Sequence, residues 1–420
     1  MAIDVRWIYK AFLGLCMGLV FQFTSSPSVA IDFIESPTLQ RLVESGELPA
    51  VENRLPTNPM MIQPVTEMGE YGGTWRMGMR RGRDHALLIR TMGYENLLRW
   101  NSEWTGVEEN IAQIYSVDET STSYRFVLRE GMKWSDGDPF DTEDIRFWYE
   151  DVALNPALAE GVAIWRFSGG KVPSLEIHGP YEFSFKFEQP HALFSQFLAA
   201  PEGAEPTSYP SHYLKQFLPK YNPEVDQQAQ AAGFGNWVEQ FHAKFGVPGT
   251  IDDKSRWSNP ELPTLNAWIL DSKFGVDEPL HAKRNPYYWK IDPAGKQLPY
   301  IENLVYQVVK SKGDIRGLAA EDTIDMQLRA MASFAEKVND KPADWAQYRT
   351  FGAIDTDMNK SVIALNLTHR DPVLREIFNK RDFRIALSVA IDRASIIRGA
   401  SENIGIPFQA APRPESPFYD

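Results

Sequence analysis

Tyr124-Arg125-Phe126-Val127-Leu128-Arg129-Glu130-Gly131-Met132-Lys133-Trp134-Ser135-Asp136-Gly137-Asp138-Pro139-Phe140-Asp141-Thr142-Glu143-Asp144-Ile145 contains a strand, a turn and a helix start in one run. Tyr124, Phe126 and Leu128 alternate with Arg125 and Val127, the period of a half-buried strand. Ser135-Asp136-Gly137-Asp138 is a turn and Pro139 follows it. Asp141, with Thr142, Glu143 and Asp144, marks a helix N-terminus, where acidic groups accept bonds from free N–H groups and oppose the positive end of the helix dipole. Ile145, Trp148, Tyr149 and Val152 then recur at three and four residues, so the helix buries one face.

Working outward, Leu175-Glu176-Ile177, the Gly179-Pro180 turn and Tyr181-Glu182-Phe183-Ser184-Phe185-Lys186-Phe187-Glu188 predict a hairpin with one wet face. Upstream, Ser36-Pro37 opens a short helix carrying Leu39, Leu42 and Val43, with Gly46 as its closing cap. Pro49, Pro56, Pro59 and Pro64 then keep a wrapping arm extended until the strand signal at Tyr71-Gly72-Gly73-Thr74-Trp75-Arg76-Met77. Downstream come a strand from Leu304 to Val309, a helix from Phe383 to Ile391, and a helix capped by Asp392 that stops at Gly399. Strands and helices alternate without a regular βαβ rhythm, which predicts a mixed α/β architecture of more than one lobe.

At the N-terminus, Arg6 and Lys10 precede an apolar run from Ala11 to Phe23, and small residues close on Ser28-Val29-Ala30. This is the pattern of a secretory signal cleaved after Ala30, and the run is shorter than the roughly 20 residues a membrane-spanning helix needs. Cys16, the single cysteine, lies inside the run behind Leu15, where a lipid-attachment signal wants a small residue. The mature chain therefore has no disulfide framework, thiol nucleophile or cysteine zinc site. Cleavage removes Arg6, Lys10 and Asp4 and moves the formal charge from −13 to −14, a sign that repels phosphate backbones and argues against nucleic acid as a partner.

Motifs for chemistry are sparse. None of the seven histidines makes an H-E-x-x-H pair, no G-x-S-x-G elbow occurs, and Ala294-Gly295-Lys296-Gln297 lacks the upstream glycine and hydroxyl residue of a phosphate loop. The acidic run Asp136, Asp138, Asp141, Glu143, Asp144 has Phe140 where a calcium loop needs a ligand, so turn and helix cap explain it better. No metal and no cofactor is expected. Carboxylate pairs for glycoside hydrolysis meet only in three dimensions, and a secreted hydrolase stays an alternative. Tyr71, Trp75, Tyr94, Trp100, Trp104, Trp134, Trp148 and Trp165 supply aromatic surface for cores or for clefts that stack sugars or peptide side chains.

Three stretches together resemble the family 5 extracellular solute-binding proteins, the oligopeptide and dipeptide receptors of ABC importers. They are the run from Tyr124 to Ile145; Arg284-Asn285-Pro286-Tyr287-Tyr288-Trp289 with Pro299-Tyr300-Ile301-Glu302 and Ile324-Asp325-Met326; and Ala364-Leu365-Asn366-Leu367-Thr368 with Arg381-Asp382-Phe383-Arg384-Ile385-Ala386-Leu387-Ser388 and Ala390-Ile391-Asp392-Arg393. The resemblance implies a two-lobed periplasmic-binding-protein clamp with an extra domain, whose third domain is incomplete at Asp420. It implies a signal peptide over 1–30, an N-terminal arm over 31–70, the start of domain I over 71–95, domain II over 96–200, a domain I return over 201–327 and the opening of domain III over 328–420. It further implies a monomeric, non-enzymatic periplasmic receptor that binds a small peptide or an oligosaccharide between lobes and delivers it to an inner-membrane ABC permease. Exposed apolar faces and weak binding are expected of such a shortened chain. Candidate ligand contacts are Tyr71, Gly73 and Trp75 on the first strand, Tyr94 and Glu95 in the next segment, and Asn366 at the entrance to domain III. Glycine at 73 would let a ligand approach the backbone.

Overall fold

The computed structural model describes residues 31–81, 84–158, 166, 168–249, 255–331, 362–400 and 405–408. The expected signal segment and its cleavage after Ala30 lie outside these. Among the described residues twelve strands are formed: β1 (Met60–Met61), β2 (Gly72–Arg80), β3 (Leu98–Trp100), β4 (Val107–Glu109), β5 (Ala112–Val117), β6 (Ser123–Leu128), β7 (Ser174–Gly179), β8 (Glu182–Lys186), β9 (Trp268–Leu270), β10 (Leu280–Arg284), β11 (Lys290–Ile291) and β12 (Ile301–Val309). They build one four-stranded sheet in the order β2-β12-β10-β9, another in the order β5-β6-β8-β7, and the two-stranded pairs β1-β11 and β3-β4. No helix among the described residues is long and apolar enough to cross a membrane.

In the first sheet β2 lies parallel to β12, from Gly72 beside Ile301 to Arg80 beside Val309, while β10 is antiparallel to β12 and β9. Met77, Met79, Leu304 and Tyr306 pack with Leu87 and Leu88 of the helix His85–Met92 and with Trp257. The second sheet is antiparallel throughout. Its buried face carries Tyr124, Phe126, Leu128, Phe183 and Phe185, and Phe126 stacks on Phe183 with centroids 5.2 Å apart. This core continues past residue 200 into Tyr209, Leu214, Phe217, Phe241, Phe245 and Leu265, so the helices between the two sheets pack with the second.

The run from Tyr124 to Ile145 forms the strand, turn and capped helix start that its sequence predicts. Asp141 caps the helix at Thr142–Arg146, and its bond from the Glu143 N–H is completed by a reciprocal capping box with Asp144. The helix then widens into a π-helical turn over Phe147–Ala153, where a regular helix was expected. The wider turn lets three consecutive rings, Phe147, Trp148 and Tyr149, all enter the core. The hairpin also forms, but its polar face is partly covered: Ser184 is buried and bonds to His178 at 2.9 Å, while Arg125–Glu182 and Lys186–Glu176 pair across the surface.

The arm wraps as its prolines require. Ser36 caps the helix Pro37–Glu44, and β1 pairs with β11. Buried Arg54 donates to the Pro49 carbonyl and to Gln297 Oε1, both at 3.0 Å, and pairs with Glu35. Gly295, with φ of +82°, sits so close to the Asp32 carbonyl that any side chain would collide with it, and its own carbonyl accepts from the Ile34 N–H. The run around Lys296 is thus the dock for the arm. The helices Pro372–Asn379 and Arg381–Ala390 pack on one another and bury no residue, with Val373, Ile385 and Val389 exposed.

Two predictions follow from the turn and helix cap. The buried Asp144 carboxylate accepts from Ser211 N at 2.8 Å and from Trp134 Nε1 and Asp141 N at 3.2 Å, tying turn, cap and the helix Ser211–Leu214 together. Asp144→Ala strands these donors and should cost about 3 kcal/mol in a urea titration; a loss below about 1 kcal/mol would contradict this role. His212 bonds Asp136 at 2.8 Å. Burial pushes its imidazole down, but the Asp136 bond and the charges of Asp136, Asp138 and Asp144 more than offset this and hold it above the ordinary histidine value. Burial likewise pushes Asp136 up, and the bond from His212 brings it below the ordinary range. The His212 contribution is full below about pH 6.5 and is lost as pH rises through the higher folded value; that of Asp136 is present above about pH 4 and lost as pH falls. His212→Gln should therefore flatten the decline in stability as pH rises above about 6.5, and an unchanged slope would exclude the linkage.

Candidate ligand-binding site

Tyr71, Gly73 and Trp75 come together at the start of β2. The Tyr71 hydroxyl lies 2.9 Å from both the Ile34 and Gln297 carbonyls, and the Arg284 guanidinium sits 4.9 Å from its ring centre. Burial raises its phenol above the usual range, partly opposed by Arg284. Gly73 has φ of +72°, and the space a side chain would occupy is open. That backbone conformation favours glycine and leaves the chain accessible. Trp75 donates from Nε1 to the Met326 carbonyl at 3.3 Å and packs edge-on against Trp268 at 6.5 Å. Trp268 in turn lines a recess beside β9 with Trp257, Asn259, Leu262 and Asn266.

The outer edge of β2 is covered in a way the sequence did not announce. Arg76 N donates to Asp325 Oδ2 at 2.7 Å, the Arg76 guanidinium grips both oxygens of the same carboxylate, and Asp325 N returns a bond to the Arg76 carbonyl. Two residues on, Gln327 accepts from Gly78 N at 2.8 Å and donates to the Gly78 carbonyl at 3.1 Å. Side chains thus satisfy an edge that would otherwise pair with another strand. The bonds from Arg76 hold the Asp325 carboxyl below its usual range. Asp325 belongs to the Ile324-Asp325-Met326 run, but the partners of Asp325 and Gln327 lie about 250 residues earlier, beyond any local signal.

Tyr94 and Glu95 sit at a buried junction. Glu95 Oε1 accepts from Tyr288 Oη at 2.6 Å and from Lys290 Nζ at 3.1 Å, and Oε2 from Lys290 Nζ at 2.9 Å and Asn110 Nδ2 at 3.0 Å. Burial pushes the Lys290 ammonium down to about 8 against the pull of Glu95. Tyr94 donates to the Ala199 carbonyl and accepts from Trp100 N at 3.3 Å. The polar atoms of both residues are engaged by the protein itself. Asn366 lies apart from these, in the turn ahead of the exposed helices, with Oδ1 accepting from the Thr368 N–H and hydroxyl at 3.0 Å.

Groups for other chemistry are few among the described residues. Asp136, Asp138 and His212 offer ligand atoms within 4.8 Å of one another and are the residues that can hold a cation. His212 pairs with both carboxylates there. The Ser184–His178 hydrogen bond has the form of a nucleophile and base, but Ser184 is 3% exposed, closed to a substrate.

Residues 106–420 match the bacterial extracellular solute-binding proteins, family 5 Middle. A periplasmic alpha-galactoside-binding protein of Rhizobium meliloti is 26% identical over 391 residues, covering 85% of this chain and 52% of its own length. The solved oligopeptide-binding protein OppA is 34% identical, with a TM-score of 0.73, over 93% of this chain and 60% of its own. The periplasmic binding protein MelB of Agrobacterium fabrum, solved with stachyose, shares the fold at 24% identity and a TM-score of 0.64, over 90% of this chain and 56% of its own. The chain therefore spans about half the length of the curated relative and under two thirds of these solved proteins. A mixed α/β architecture, a likeness in fold to OppA and the match over residues 106–420 agree: the chain belongs to family 5 of the bacterial extracellular solute-binding proteins.

Proposed function

We propose that this chain is the periplasmic, non-enzymatic receptor of an ABC importer, which captures an oligopeptide or similar extended solute between two lobes and presents it to a membrane permease. One observation carries the reading: β2 opens on an accessible glycine backbone flanked by Tyr71 and Trp75, while of the cations around it Arg76 and Arg284 are paired with Asp325 and Glu302 and Lys296 donates to the Gly69 carbonyl. Such a surface offers backbone bonds and aromatic contact to a ligand and brings no nucleophile or base to it. A ligand that bridges two lobes favours the closed state by its differential affinity, with no covalent step. Two cores support two packing units, one on the β2-β12-β10-β9 sheet with Trp257 and one on the β5-β6-β8-β7 sheet that also takes in Tyr209, Phe241, Ala267, Tyr288 and Trp289. The block from Asn366 onward would belong to domain III, with Asn366 at its entrance.

An α-galactoside ligand is the second reading, favoured by the name of the Rhizobium relative. Intrinsic tryptophan fluorescence of the mature chain, titrated separately with mixed short peptides and with raffinose or stachyose, decides between the two. A saturable change with one class names the ligand, and Gly73→Val should weaken it about tenfold or more, because a β-branched residue neither adopts that φ nor leaves the backbone open. Silence toward every pool, or products released from a bound oligomer, would overturn the receptor reading.

A further inference from the structure

The hairpin β3–β4 carries two indoles, Trp100 in its first strand and Trp104 in its turn. Trp100 is half-buried against the core of the second sheet, and Trp104, in the connecting turn, lies over it with centroids 5.9 Å apart and planes 22° from parallel. One face of Trp104 is therefore backed by Trp100, yet the residue remains 67% exposed. Its backbone has φ of +58°, a left-handed conformation that a bulky residue rarely adopts. The turn enforces it: Asn101 Oδ1 accepts from Thr105 N at 2.8 Å and Gly106 N at 3.3 Å, Asn101 Nδ2 donates to Thr105 Oγ1 at 2.9 Å, and Trp104 N donates to the Asn101 carbonyl at 3.1 Å. Trp104 is thus an exposed bulky residue held in a costly backbone conformation, the kind of strain that collects at binding sites.

Its surroundings select the ligand. Glu103 stands beside it with Ser102 Oγ donating to its carboxylate at 2.7 Å, and Glu108 and Glu109 lie on the returning strand. Arg99 stands directly across from Glu108, and with Glu103 and Glu109 added the hairpin keeps a net negative charge, which disfavours phosphate and anionic lipid. A neutral pyranose, in contrast, can lay its apolar C–H face on the open indole face and direct hydroxyls to the Glu103 carboxylate and the Ser102 hydroxyl. We propose that Trp104, backed by Trp100, is a stacking platform for neutral oligosaccharides, separate from the site at β2 and independent of which solute that site holds.

The indole N–H signals of the 15N-labelled chain test this, with the Trp104 signal identified by its disappearance in Trp104→Phe. Stachyose is the probe, and tetraglycine is the neutral peptide control. The Trp104 signal should move saturably with stachyose and stay still with tetraglycine. Trp104→Phe should hold stachyose within about threefold, and Trp104→Gly, which suits the backbone of the turn, should weaken the response of the Trp100 signal about tenfold or more. A Trp104 signal unmoved by stachyose, or moved equally by tetraglycine, overturns the platform. A response at Trp75 with none at Trp104 would do so while leaving the receptor reading intact.

Discussion

The Glu95 carboxylate, partly buried and filled by the buried Lys290, by Tyr288 and by Asn110, is the joint on which the two sheets of this chain are assembled. Lys290 belongs to the return segment behind β10, Asn110 to the connection into the second sheet, and Glu95 to the link between the first strand and β3. Arg129 extends the joint: it lies 5.3 Å over Trp289, donates to the Asn110 carbonyl at 3.0 Å and reaches the Asn58 carbonyl of the arm at 2.9 Å. A charge in such a place is tolerable only with its partners present, and removing one partner of a buried pair typically costs about 3–5 kcal/mol. The joint specifies one geometry of five chain segments, which apolar packing alone would define less sharply.

From that joint outward, polar groups organise the edges. The Asp325 and Gln327 side chains close β2, the docked arm closes β11, and the Asp141–Asp144 cap with the Asp136–His212 pair fastens the turn to its helix. Each device spends a charged or amide group on architecture. What remains toward solvent at the start of β2 is the open Gly73 backbone beside Tyr71 and Trp75, with Arg76 and Asp325 paired at the edge.

The legible part of this fold was local. The alternation Tyr124, Phe126, Leu128, the aromatic hairpin ending at Phe187, the cap at Asp141 and the prolines of the arm each carry their structural meaning within a few neighbours, and each formed the expected element. The π turn at Phe147–Ala153 departs because its cause is the core it enters, which demands three successive rings. Ser184 departs likewise: strict alternation put it on a wet face, and the neighbouring strand and His178 covered it.

The candidate site divides along the same line. Residue type and position suggested Tyr71, Gly73, Trp75, Tyr94 and Glu95, and sequence alone determined the class of surface they could make: aromatic, glycine-opened and without a catalytic motif. Tertiary structure decided their duties, because a hydrogen-bond partner two hundred residues away has no local signature. It committed the Glu95 carboxylate to Lys290, set Tyr71 between two carbonyls, left Gly73 open, and closed the neighbouring edge with Asp325 and Gln327. Strand, turn and cap are decided by steric and hydrogen-bonding preferences within a few residues, whereas burial and pairing are decided by which distant segments the fold brings into contact.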